Sequence, residues 1–116
     1  MTEEGLSAEG SSSAYLTSIR TRAHELVPGL ETGTSYGMPA LKYRGRGLMG
    51  VLEHPDFLSY YPFSPTVIET VAADLDGFSF SKGTVRFSLE QPLPDEVVDR
   101  MILARRDEID AALGRS

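Results

Sequence analysis

SYGMPALKYRGRGLMGVLEHPDFLSYYPF, residues 35–63, decides the fold. It reads as consecutive short strands, and the spacing predicts them near 32–36, 40–44, 47–53 and 57–61. Pro39 restricts Met38 to an extended conformation and denies a sheet one donor, which suggests an edge or a bulge. Arg44-Gly45-Arg46-Gly47 places two glycines free to take positive φ where a hairpin must turn. Leu48 to Leu52 is nearly all apolar and reads as a buried strand, with Gly50 permitting close backbone approach. Glu53-His54-Pro55-Asp56 makes a second turn. In the aromatic strand that follows, alternation sets Phe57, Ser59 and Tyr61 on one face and Leu58 and Tyr60 on the other.

Helical patterns surround this block. Leu16, Ile19, Ala23, Leu26 and Val27 recur at helical spacing after the candidate caps Ser11, Ser12 and Ser13, and Pro28-Gly29 stops that helix. Ser64-Pro65 is a strong helix start, followed by the apolar stripe Val67, Ile68, Val71 and Leu75 and by Gly77 as a stop. Residues 78–82 read as a loop. From Thr84 to Leu89 the chain alternates, with Val85, Phe87 and Leu89 on one side and Lys82, Thr84, Arg86 and Ser88 on the other. A last helix starts near Pro94, with Asp95 and Glu96 at its positive end and a stripe of Val98, Met101, Ile102, Ile109 and Leu113. The order is α-β-β-β-β-α-β-α. Short turns between strands imply antiparallel pairing. The fold class is α+β, a two-layer sandwich with an antiparallel sheet of about five strands and helices packed on it. Residues 1–10 read as a disordered tail and 11–116 as a single domain.

Composition bounds the function. The 116 residues are 41% hydrophobic and 24% charged, ordinary for a globular domain. That length can bury roughly two thirds of its unfolded surface without a disulfide or metal staple. There is no cysteine, which removes disulfides, thiolate metal sites and thiol nucleophiles. The first residues lack the basic start and apolar run of a signal peptide, and no apolar run approaches the ~20 residues that span a bilayer. A cytoplasmic location and no membrane partner are therefore expected. The net charge of −6 argues against nucleic acid as a partner. Yet residues 32–52 hold Lys42, Arg44 and Arg46 and no acid. A local positive spot survives on an acidic protein because screening acts over about 8 Å.

Several short matches to known motifs fail on context. His54-Pro55-Asp56 matches the chaperone-activating tripeptide of J-domains, but strands rather than long helices flank it. Ser79-Phe80-Ser81-Lys82 matches the S-x-x-K of penicillin-recognising enzymes without the helix that serine should open. Asp74, Asp76 and Gly77 suggest a calcium loop, but Ala72 and Gly83 fall at its first and twelfth positions. His24 has no metal-ligating neighbour one turn away. No serine–histidine–carboxylate set can be assembled, so an enzyme ranks below a binding domain.

Three stretches together carry a resemblance: Ser35-Tyr36-Gly37-Met38-Pro39 with Lys42-Tyr43; Tyr60-Tyr61-Pro62 before a helix; and Ser81-Lys82-Gly83-Thr84-Val85-Arg86-Phe87 before Pro92-Leu93-Pro94. The chain resembles the YdhG-like family of domains of unknown function, grouped with YjbR and CyaY-like folds, over about residues 16–113. The resemblance implies a frataxin-like two-layer sandwich for residues 11–116. It also implies a non-enzymatic domain handling a small ligand or a metal, as in frataxin-like intracellular iron chaperones. No cofactor is expected from the residues, and iron is implied by that resemblance only. The acidic ridge of frataxins is reduced here to Glu25 and Glu31, which predicts weak iron binding. The polar face of the Thr84 strand offers a different site. Lys82, Thr84 and Arg86, brought beside Ser35, Tyr36 and Lys42, would form a pocket for a small anion through charge-assisted hydrogen bonds. The alternative is a protein-interaction or assembly module with no small-molecule ligand. It would act as monomer or homodimer and expose an apolar patch around Met38, Leu48 and Phe57.

Overall fold

A computed structural model describes residues 3–114, with side chains described from residue 12 onward. Helix α1 (Glu3–Leu26) is followed by β1 (Glu31–Ser35), β2 (Met38–Tyr43), β3 (Arg46–Glu53) and β4 (Leu58–Tyr61). Then come α2 (Pro65–Val71), a 3-10 turn over Ala72–Leu75, β5 (Ser79–Phe80), β6 (Val85–Phe87) and α3 (Asp95–Leu113). The backbone is helical before the three serines expected to cap α1. The tail expected over 1–10 falls where side chains lie outside the described residues.

The sheet has six strands in the order β1-β2-β3-β4-β6-β5, all antiparallel. The fold is therefore α+β as expected, with one strand more. The extra strand, β5, is the two-residue stretch Ser79–Phe80 within the expected loop. Two tight turns build the first three strands. Tyr36 (φ 53°) with Gly37 (φ 77°) joins β1 to β2, and Arg44 (φ 53°) with Gly45 (φ 82°) joins β2 to β3. Two successive residues at positive φ match the right-handed twist of the flanking strands.

The irregularity expected near Pro39 sits two residues further on. Leu41 pairs with Met49 but Lys42 pairs with Gly47, so Leu48 is an extra residue on β3. Such a bulge lets neighbouring side chains turn to one side. Leu48, Met49 and Val51 are all buried in the core. The freed Gly47 carbonyl accepts a 2.8 Å bond from Arg105 Nε of α3.

Helices α1 and α3 pack on β3 and on each other, and α2 packs on α3. Leu16, Ile19, Ala23 and Val27 of α1 meet Leu58, Tyr60, Val85 and Phe87 of the sheet and Val98, Met101, Ile102 and Ile109 of α3 in one cluster. Tyr15 packs edge-on against Phe87 at 5.8 Å. Two residues expected inside are outside. Leu89 is 42% exposed because β6 ends at Phe87, and Leu113 is 38% exposed on the last turn of α3. The α2 start is as expected: Pro65 opens the helix and the Ser64 hydroxyl accepts from Val67 N at 3.4 Å. Among the described residues, no helix is long and apolar enough to cross a membrane.

Candidate functional site on the open face of the sheet

Strand alternation puts Leu58, Tyr60, Val85 and Phe87 under the helices, so Phe57, Ser59, Tyr61, Thr84 and Arg86 must face away from them. Helix α2 comes near only at the β5 end, where Pro65, Ile68 and Glu69 border Phe80, Ser81 and Lys82. The three strands enclose a hollow of about 360 Å³ there. Register sets its centre. Arg86 lies between Ser59 on β4 and Ser79 on β5, paired with both.

The β3–β4 turn forms one wall. The His54 backbone N–H donates to the Phe57 carbonyl at 2.9 Å, closing the four-residue loop. That closure lays the His54 ring on the Phe57 ring, with centroids 4.4 Å apart and planes 21° apart. The Arg86 guanidinium carbon sits 4.5 Å from the centroid of the same Phe57 ring. An arginine held over an aromatic face keeps its charge and its outward N–H groups, so Phe57 positions a cation without neutralising it. Arg86 forms no ion pair among the described residues, whereas Arg22, Arg44, Arg100, Arg105 and Arg106 each pair with a carboxylate.

Ser59 forms the floor. It is completely buried, and among the described residues its Oγ has no hydrogen-bond partner; the buried Nε2 of His54 likewise has none. A buried hydroxyl without a partner costs about 1–3 kcal/mol, so orphaned groups at a cavity floor are informative. Tyr61, Ser79, Ser81 and Thr84 add hydroxyls around the rim, and Phe80 closes the β5 side. The β5–β6 turn is held by Ser81 N donating to Thr84 O at 2.9 Å. None of the nine lining residues is acidic. One unpaired arginine, a histidine and five hydroxyls make a donor-rich cup.

The six residues expected to converge do not. Thr84 and Arg86 line the cup. Lys82 stands in the β5–β6 turn, outside the strand whose alternation was extended to it. It borders a separate hollow against Pro65, Ile68 and Glu69 of α2. Ser35, Tyr36 and Lys42 lie on β1, β2 and their turn. Three strand steps separate β2 from β6 and four separate β1 from β6, about 14 and 19 Å at the usual spacing. Lys42 instead lays its stem along Gly33, where an added Cβ would meet its Cδ at 3.0 Å. The Ser35 hydroxyl lies over Gly47. Tyr36 is 89% exposed and touches Phe63, with ring centroids 5.9 Å apart. Sequence reasoning did not assign His54, Phe57, Ser59, Tyr61 and Ser79 to a site. The face shared by Phe57, Ser59 and Tyr61 was legible; their neighbour across β6 was not.

The apolar patch imagined around Met38, Leu48 and Phe57 does not exist, because Leu48 is fully buried and Phe57 lies under Arg86. Asp99 is paired with Arg22 through two hydrogen bonds. That pairing holds the Arg22 guanidinium further above its usual range. Among the described residues, no three His, Asp or Glu side chains converge as a metal site would require.

No protein-family model matches the chain, and no curated protein matches it. Among solved structures, the chain is similar in fold to YdhG of Bacillus subtilis, a protein of the DUF1801 family. The TM-score is 0.70 over 82% of this chain and 78% of that one, at 19% sequence identity, which bears out the YdhG-like architecture expected from the motifs.

Proposed function

We propose that this is a non-enzymatic cytoplasmic domain that binds a small anion, a phosphate or a carboxylate, in the cup between β4, β6 and β5. The observation that carries the reading is Ser59. Its hydroxyl is fully buried without a partner, directly across the β4–β6 pair from an arginine that has no carboxylate. An anion would accept from a guanidinium edge and, once the side chains covering the Ser59 hydroxyl draw back to admit it, from that hydroxyl, removing one unpaired charge and one unsatisfied donor. Binding is favoured over catalysis because Ser59 Oγ and His54 Nε2 are not hydrogen-bonded to each other, and a nucleophile needs that contact with its base.

The test is calorimetric titration with inorganic phosphate and with acetate. Wild type should bind at least one of them. Arg86→Gln should abolish that binding with an unchanged melt, because an exposed arginine contributes little to stability. Ser59→Ala should weaken binding and leave the fold intact. If wild type binds neither anion, or Arg86→Gln binds as wild type does, the reading falls.

Frataxin-like iron handling has less support. Glu25 and Glu31 are both exposed, and hard cations require several converging oxygens. The interaction-module reading rests on a different feature, the exposed edge strand β1, whose residues Glu31 to Thr34 all face solvent. An edge of that kind can accept a strand from a partner or a second copy. Light scattering separates monomer from dimer.

A further inference from the structure

We propose that β5 receives an extended peptide of a partner as an added strand, and that the anion held in the cup is an acidic side chain of that peptide whose aliphatic neighbour in sequence enters a second hollow. This rests on the anion reading above.

β5 ends the sheet order, so its outer edge pairs with no described strand. The Ser81 N–H donates to the Thr84 carbonyl across the β5–β6 turn. Antiparallel neighbours alternate between hydrogen-bonded and non-hydrogen-bonded pairs. Ser81 with Thr84 and Ser79 with Arg86 are therefore bonded pairs, and Phe80 with Val85 is not. The N–H and C=O of Phe80 then point away from β6, toward the open edge. Edges are commonly blunted by charge or proline. Ser79–Phe80 is short but has neither, and it leaves Phe80 42% exposed.

A hollow lies on each face of this edge. Ser79 shares its face with Arg86 and lines the cup. Phe80 shares its face with the buried Val85, on the helix side. There it borders a hollow of about 280 Å³ against Pro65, Ile68 and Ala72. Phe80 and Ser81 line both hollows, so the two meet at β5. Their chemistry differs. The cup is rich in donors and holds no acid. The second hollow is mostly apolar, with the exposed Glu69 and Lys82 beside it.

Successive side chains of a strand point to opposite faces. In a strand laid along β5, the residue opposite Ser79 faces the cup and the residue opposite Phe80 faces the apolar hollow. An acid beside an aliphatic residue in sequence fills both at once. From the added strand to β6 is two strand steps, about 10 Å, which a glutamate and an arginine extended toward each other close. Main-chain bonds to Phe80 give affinity, and the two hollows give selectivity. The unpaired Arg86 supplies the charge that the acid complements.

The test is titration calorimetry on the whole chain with a short synthetic peptide, blocked at both ends, with glutamate at its centre, leucine on either side and threonine beyond. Wild type should bind it at least about fivefold more tightly than acetate. Replacing the glutamate by glutamine, or the leucines by serine, should each weaken binding at least about fivefold. Methylating the leucine backbone nitrogens should abolish it. Arg86→Gln should erase the glutamate–glutamine difference alone, and Phe80→Ser the leucine–serine difference alone. A peptide bound no more tightly than acetate overturns strand addition, and the anion site stands if acetate or phosphate still binds. Strand addition also falls if the methylated or the glutamine peptide binds as the unmodified one does, or if the leucine preference survives Phe80→Ser. The modified peptides leave the protein unchanged, so those results hold even where a variant misfolds. Failure of peptide, acetate and phosphate alike brings down the anion reading itself.

Discussion

Tyr60→Phe should stabilise the protein, and more so in alkali. Tyr60 is fully buried on the core face of β4, and among the described residues its hydroxyl has no hydrogen-bond partner. Leaving such a hydroxyl unsatisfied costs about 1–3 kcal/mol, and removing it leaves the ring's packing in place. At neutral pH the variant should therefore gain about 1 kcal/mol. Unfolding entropy of about 2.1 cal/mol/K per residue makes that roughly 4 °C in Tm for a chain of this size. Burial also raises the Tyr60 phenol far above the usual tyrosine range. The sign follows directly. The unfolded chain ionises Tyr60 near pH 10 and the folded chain does not, so stability is intact below pH 10 and is lost as pH rises above it. At pH 11 the loss from this group alone is about 1.4 kcal/mol. Tyr15 and Tyr43 are also raised, by burial and by a hydrogen bond to Asp110 respectively, but they are common to both proteins and cancel. Denaturant melts of wild type and Tyr60→Phe at pH 8 and pH 11 measure both effects. The gap should open from about 1 to about 2.4 kcal/mol. A gap that does not widen with pH, or a wild type more stable than the variant at pH 8, would mean the hydroxyl is satisfied in the folded protein and the reasoning is wrong.

Leu48→Asp should abolish cooperative unfolding, because it sets a carboxylate at a fully buried position on the central strand; a melt near wild type would contradict the bulge geometry. Ser64→Ala should lower stability by about 1 kcal/mol in chemical denaturation, since it removes the α2 cap and the 2.9 Å bond to Glu108 together. Anaerobic calorimetry with ferrous iron should show only weak binding, and micromolar or tighter binding lost on substituting Glu25 and Glu31 would restore the frataxin-like reading.

Most of the fold was legible because its rules are local. Alternation in residues 57–61 and glycine placement at Gly45 read correctly from neighbours in the chain. So did the serine–proline start of α2. What failed was short or non-local. Ser79–Phe80 is too brief to alternate and is a strand only because β6 lies beside it. Leu89 looked like the third member of an inward row, but the row needs sheet pairing to persist, and β6 stops at Phe87. The bulge at Leu48 was announced by Pro39 and Gly50 only as a disturbance somewhere in that hairpin.

The site was half legible for a deeper reason. Each strand's polar face could be read, but a cup is made by two faces meeting, and strand neighbours are set by topology. β6 reaches β4 only after α2, the 3-10 turn and β5 have intervened. Grouping Arg86 with Ser35, Tyr36 and Lys42 because the motifs occur together ignored that order. The helices cover one side of the sheet, and there packing dictates nearly every residue. On the open side around β4 and β6, stability demands little beyond solubility. An orphaned serine and an unpaired arginine over a phenylalanine are costs that the fold does not require. Their concentration on that one face is the physical case for seeking the ligand there.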